Sequence, residues 1–284
     1  MSKLIDGKAV AAVIRDENKA EIAKLKEEGL NPKLVVIQAG DDPASSIYSR
    51  SIGKACSNAG ALFEEYSFKD PGDEDKIVET IKRLNEDDSI HGIMLMLPLP
   101  KGMNKQRVLE TISPLKDVDG VHPLNRAYIL SNNEGLIPST PQSCIEIMVR
   151  NGIAIEGKHA VLVGRGEAVG KPLIYMLLNK NATLTICHTR TPDLAYHTRQ
   201  ADILIVAVGV AKKITADMVK PGTIVVDAGI NEMADGSICG DVDFENVLPV
   251  AGAITPVPGG VGSLTTALII KNLLKAIELQ QKKH

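Results

Sequence analysis

Apolar and polar positions along this chain fall into alternating helix-like and strand-like stretches. From Asp6 to Glu28, Val10, Val13, Ile14, Ile22 and Leu25 recur at helical spacing, and Gly29 stands where a C-terminal glycine cap belongs. The apolar run Leu34–Ile37 predicts a buried strand. Turn chemistry over 40–46 then precedes a helix that reaches Asn58 and is closed by Gly60. The alternation continues with a strand near 63–68, a helix over 73–85, a strand over 90–97 and a short helix over 105–112 capped by Asn104. Residues 113–140, rich in Pro, Asn, Asp and Gly, read as a long functional loop, followed by a helix over 141–150 ended by Asn151-Gly152. Strands are expected at 160–163, 183–187, 203–208 and 223–227, joined by shorter helices, and a last helix over 264–279. Such a pattern predicts the α/β class: mostly parallel sheets with helices on both faces, binding ligands beyond the C-terminal strand ends.

A chain of 284 residues has ample core for two domains. Hydrophobic content of 44% and a formal charge of −3 give no indication of a polyanion partner, so no nucleic acid is expected. The N-terminal stretch lacks the apolar core of a signal peptide, and no apolar run is long enough to cross a bilayer. A cytoplasmic protein without a membrane partner is expected. Cys56, Cys144, Cys187 and Cys239 are scattered without a C-x-x-C pair, and the histidines show no ligand spacing. Reduced thiols and no structural metal follow.

The stretch with the clearest chemistry is Ala160-Val-Leu-Val-Gly-Arg-Gly-Glu-Ala-Val-Gly-Lys-Pro172. A buried strand runs into a turn carrying Gly164, Gly166 and Gly170 and then into a helix, so backbone N–H groups and the helix N-terminus can face a pyrophosphate. The spacing G-x-G-x-x-x-G is one residue longer than the common dinucleotide fingerprint, and a tight strand-to-helix turn would read the same way.

Three further motifs accompany that turn: Asp41-Asp-Pro-Ala-Ser45 with Tyr48, Lys116-Asp-Val-Asp-Gly120, and Thr255-Pro-Val-Pro-Gly-Gly-Val-Gly262. Together with Gly164-Arg165 they make the chain resemble the methylenetetrahydrofolate dehydrogenase/cyclohydrolase family, from about Ile5 to Leu274. The resemblance implies two αβα domains with a cleft between them. A folate-binding catalytic domain would comprise 1–140 plus 262–284, and a Rossmann-like NAD(P)-binding domain 141–261. It also implies a homodimer acting on one-carbon derivatives of tetrahydrofolate. In the family, a hydride passes from 5,10-methylenetetrahydrofolate to the nicotinamide, and bifunctional members then hydrolyse the methenyl product to 10-formyltetrahydrofolate.

Residue by residue, the resemblance makes Tyr48 the aromatic packed on the pterin side and Asp119 the carboxylate that hydrogen-bonds the pterin. Without it, Tyr48 reads as a packing residue and Asp119 as a loop cap. Pro256, Gly259 and Gly260 match the loop that lines the substrate cleft, and Gly164, Arg165, Gly166, Thr189, Arg190 and Ile230 match cofactor contacts. No acid holds the ribose hydroxyls after Cys187, where His188-Thr-Arg-Thr191 stands and the nearest carboxylate is Asp193. NADP is therefore the expected cofactor, with NAD as the alternative.

Two positions depart from the family pattern. Ile52 stands four residues after Tyr48, where bifunctional members carry the lysine on which cyclohydrolase chemistry depends, and Met96 replaces that lysine's glutamine partner. Lys54 lies roughly 120° round the helix from Tyr48 at about 100° per residue, so it is not expected to substitute. The expected function is a dehydrogenase with little or no cyclohydrolase activity. The alternatives are a bifunctional enzyme that continues to the formyl product and a catalytically silent folate-binding protein.

Overall fold

A computed structural model describes residues 3–70 and 72–282. In chain order the elements are β1 (Lys3–Leu4), α1 (Gly7–Glu27), β2 (Lys33–Ala39), α2 (Pro43–Ala59), β3 (Leu62–Phe68), α3 (Glu74–Glu86), β4 (Gly92–Leu95), α4 (Lys105–Thr111), α5 (Pro123–Ser131) and α6 (Ser139–Arg150). They continue with β5 (His159–Val163), α7 (Gly170–Leu178), β6 (Thr183–Cys187), α8 (Leu194–Thr198), β7 (Ile203–Val206), β8 (Ile224–Asp227), β9 (Asn231–Glu232), β10 (Ile238–Cys239), α9 (Phe244–Val247), β11 (Ala253–Ile254) and α10 (Thr265–Gln281). The chain divides into two compact units, Val13–Ser139 with Thr266–His284, and Met1–Ala12 with Thr140–Thr265.

The unit built on Val13–Ser139 holds a parallel sheet of order β3-β2-β4. Alternation along β2 sends Leu34 and Val36 to one face and Val35 and Ile37 to the other. Leu34 and Val36 pack with Ile22 of α1, Ile52 and Cys56 of α2 and Ile269 and Leu273 of α10. Val35 and Ile37 pack with Ile77 and Ile81 of α3 and Val108 of α4. Cover on both faces explains why the strand reads as a continuous apolar run. Local signals fix the helix ends: the Asp42 carboxylate accepts Ser45 N–H at 2.8 Å ahead of α2, and Gly60 closes that helix at φ +88°.

The other unit holds a sheet of order β1-β11-β8-β7-β5-β6, with every pairing parallel. All four residues of β7 are buried, as a central strand covered on both faces requires.

Three features depart from the sequence reading. Residues 3–12 cluster with Thr140–Thr265 rather than with the rest of the N-terminal half. Pairing draws them there: β1 lies beside β11, Ile5 N–H donates to Ile254 O at 2.9 Å, and Gly7 N–H donates to Gly259 O at 2.9 Å. The expected loop over 113–140 contains α5, which starts at Pro123 with the His122 ring accepting Leu124 N–H at 3.0 Å. Finally, the strands β1, β9, β10 and β11 are two residues each, too short for any periodicity to reveal.

Candidate active site

In the Val13–Ser139 unit, the expected substrate residues gather at the C-terminal edge of the sheet. Tyr48 and Ile52 lie four apart on α2, whose buried face also carries Ser45, Ser49 and Cys56. Ile52 is fully buried and Met96, directly after β4, is 4% exposed; both belong to one apolar cluster with Met94 and Val118, against which half-buried Tyr48 packs. Lys54 is exposed and lines a shallow surface depression with Ile47, Arg50 and Ser51. The unbroken helix therefore turns Lys54 away from the buried face, as its spacing predicts.

The segment Lys116-Asp-Val-Asp-Gly120 adds a short parallel bridge beside β4, with Ile93 N–H donating to Lys116 O at 2.6 Å. Successive side chains of such a segment point to opposite sides, so its charged groups have different tasks. Buried Lys116 donates from Nζ to the carbonyls of Leu84, Asn85 and Asp87 at 3.1, 2.8 and 2.8 Å, closing the C-terminus of α3. Asp117 is buried and accepts from Asn125 Nδ2, His122 N–H and Val121 N–H at 2.8, 2.8 and 3.2 Å. Burial raises the Asp117 carboxyl pKa, and those hydrogen bonds oppose the rise.

Asp119 is left with a different environment. It is half-buried, and burial followed by the neighbouring Asp117 charge pushes its carboxyl up to about 7, against the pull of Arg126. Gly120 permits this placement, at φ +60° with a Cβ position only 2.7 Å from Leu136 O. A half-buried carboxyl raised toward neutrality can hold the hydrogen-bond donors of a flat heterocycle.

In the other unit, register aligns the ends of four adjacent strands: Cys187 pairs with Val163, Val163 with Val206, and Val206 with Asp227. Strand order reverses between β5 and β7, the switch point at which open α/β sheets bind ligands. The Gly164 turn leaves β5 there, its N–H donating to Cys187 O at 2.9 Å. Gly164 sits at φ +123°, and a Cβ would lie 2.1 Å from Ala207 O, so only glycine allows the two backbones to meet. Arg165 and Gly166 are exposed, and α7 begins at Gly170, one short turn later.

Beside that turn, residues 188–191 close on themselves: His188 N–H donates to Thr191 Oγ1 at 2.9 Å and Arg190 N–H to the His188 ring at 3.2 Å. Thr189 and Arg190 are left exposed. Asp193 is committed as the N-cap of α8, accepting Tyr196 N–H at 3.1 Å. Ile230, after β8, is 65% exposed. The loop with Pro256, Gly259 and Gly260 leaves β11 on the same strand-end edge, with Thr255 Oγ1 accepting Asp227 N–H at 2.8 Å.

These two constellations coincide with two matched sequence patterns. Residues 5–119 match the tetrahydrofolate dehydrogenase/cyclohydrolase catalytic domain, and residues 138–281 match the NAD(P)-binding domain of the same family. The chain belongs to the tetrahydrofolate dehydrogenase/cyclohydrolase family. It is 68% identical over 280 residues to the bifunctional protein FolD of Pelotomaculum thermopropionicum, covering 99% of each chain. The bifunctional FolD dehydrogenase/cyclohydrolase of Campylobacter jejuni has the same fold at a TM-score of 0.96 and 43% identity, covering 99% of this chain and 100% of that one. The Trypanosoma brucei enzyme, solved with NADP cofactor and an inhibitor, superposes at a TM-score of 0.90 with 32% identity over 98% of each chain.

Sequence reasoning missed the groups that build these edges. Lys116 and Asp117 precede Asp119 but serve the fold; alternation separates Lys116 from the two aspartates, while only the folded contacts with Asn125, His122 and Val121 mark Asp117 as structural. Asp227 and Asp241 are buried acids at the nucleotide-side edge, at 3% and 0% exposure. No local pattern marks either. Among the described residues no group of three His, Cys, Asp or Glu side chains could hold a metal ion, and no helix is long and apolar enough to cross a membrane.

Proposed function

We propose that this chain oxidises 5,10-methylenetetrahydrofolate to 5,10-methenyltetrahydrofolate with NADP and hydrolyses the methenyl product little or not at all. The observation that carries the second half is the shared burial of Ile52 and Met96 in one apolar cluster against Tyr48. The working form we take to be a homodimer, as the family resemblance implies.

The dinucleotide fits the residues present. The Gly164 turn offers backbone N–H groups at the switch point, while Arg165, Thr189 and Arg190 supply charge and hydroxyl donors for a ribose phosphate. The acid that would favour the bare ribose is spent as a helix cap at Asp193. When bound, the nicotinamide serves as the hydride acceptor.

On the substrate side, Tyr48 orients the pterin by packing and Asp119 by accepting its hydrogen bonds. As the bridge C–H bond breaks, its electron pair leaves with the hydrogen, and the adjacent ring nitrogen's lone pair forms the C=N bond of the methenyl cation. The step needs alignment more than proton transfer, so it tolerates an apolar wall. Hydrolysis needs an oriented water and managed protons, and losing one general acid–base group costs about a hundredfold to ten-thousandfold. Ile52 and Met96 offer neither.

The second reading, a bifunctional enzyme, is favoured by the names of the relatives above. Purified protein given 5,10-methylenetetrahydrofolate with NADP or NAD decides the first half: NADP should be reduced in step with methenyl formation and preferred over NAD. No cofactor reduction with either would overturn the proposal and revive a silent folate-binding protein.

A further inference from the structure

The nucleotide-side edge contains a fully buried carboxylate that no cofactor contact explains. Asp241, just after β10, accepts Val208 N–H at 2.6 Å, Gly209 N–H at 2.9 Å, Val210 N–H at 3.0 Å and Asn231 Nδ2 at 2.9 Å. The first three are consecutive backbone donors in the loop that leaves β7, an arrangement that elsewhere makes a concave anion site. Here the anion is the protein's own. The loop's donors are thus already satisfied, which leaves the Gly164 turn to face a pyrophosphate.

The same carboxylate reaches both neighbouring segments. Ala207, at the root of the loop, is the backbone against which the Gly164 turn closes. Asn231 follows exposed Ile230, and the chain wraps so closely round Asp241 that a Cβ on Gly229 would lie 2.2 Å from its carboxyl carbon. Asp241 is itself held from behind. Its N–H and that of Val242 donate to the Asp227 carboxylate at 3.1 and 2.9 Å. A buried charge carries a desolvation penalty that apolar packing would avoid, so its four donors point to placement of these loops as its task.

We propose that Asp241 is a positioning residue for the dinucleotide: it fixes the loop after β7 against the phosphate turn and, through Asn231, sets the segment that presents Ile230. This rests on reading the unit as a nicotinamide-dinucleotide site. The role predicts an effect on cofactor affinity rather than on the chemical step.

The test titrates NADPH by its fluorescence against wild type, Asp241→Asn and Asn231→Ala, with thermal unfolding and steady-state kinetics on each. Asp241→Asn turns one acceptor into a donor facing backbone N–H groups, and should raise the NADPH Kd and the cofactor KM together by about tenfold or more. Its kcat at saturating cofactor should stay within about twofold, and the folate KM should not move. Asn231→Ala removes one of the four bonds and should raise the Kd by about threefold, which decides the matter if Asp241→Asn does not fold. Folded variants with wild-type Kd, or a loss confined to kcat, would overturn the assignment while leaving the dehydrogenase reading intact. Failure of wild type to bind NADPH would overturn both.

Discussion

Ile52 on α2 and Met96, directly after β4, belong to one buried apolar cluster, at 0% and 4% exposure. The positions that the family resemblance gives to a lysine and its glutamine partner have thus become core. Ile52→Lys alone should destabilise the fold by about 3 kcal/mol or more, because the ammonium would be buried without a partner. Adding Met96→Gln should recover part of that loss and let methenyl hydrolysis exceed the wild-type rate. Urea unfolding and the decay of methenyltetrahydrofolate read the two effects.

The Asp119 carboxyl, pushed up to about 7 by burial and Asp117, sets a pH dependence. In the proposed function its charged form accepts the pterin's hydrogen bonds, and the proton that occupies it below that value removes an acceptor. The folate kcat/KM of the free enzyme should therefore rise as pH increases through about 7 and level off above it. Asp119→Asn should flatten this limb and lower kcat/KM by about a hundredfold, read from a pH profile at saturating cofactor.

The proposed function assigns discrimination between the two nicotinamide cofactors to Arg165 and Arg190, both exposed. Replacing either by alanine should reduce the kcat/KM for NADP by about tenfold, the loss of a charge-assisted hydrogen bond, with little change for NAD. Equal losses with both cofactors would assign these arginines to the shared pyrophosphate.

Lys116 tests the division of labour within its motif. Its Nζ satisfies three carbonyls at the end of α3, so Lys116→Met should lower stability by about 2 kcal/mol or more. The folate KM should change far less than with Asp119→Asn, and thermal unfolding together with kinetics separates the two.

How much of this was legible in the sequence depended on how local the determinant is. The caps at Gly29, Gly60 and Asn104 and the buried run of β2 could be read directly, because each acts within a few residues. Strand β1 could not: its partner β11 lies at the other end of the chain, and two residues carry no period. Helix α5 hid in a stretch whose Pro123 and Asn132 look like turn residues but act as its first position and left-handed cap. At the site, the Gly164 turn follows from spacing, whereas Tyr48 and Ile52 stand out only through the family resemblance. Asp241 does not, because its four donors come from segments that meet only in the folded sheet.

The most direct test of the account follows methenyltetrahydrofolate after the purified enzyme has formed it with NADP, against an enzyme-free control. With Ile52 and Met96 forming an apolar wall, methenyl should accumulate in step with reduced cofactor and decay no faster than the control. Decay that accelerates in proportion to enzyme concentration would contradict the account and make this chain a bifunctional member that hydrolyses its product without the lysine.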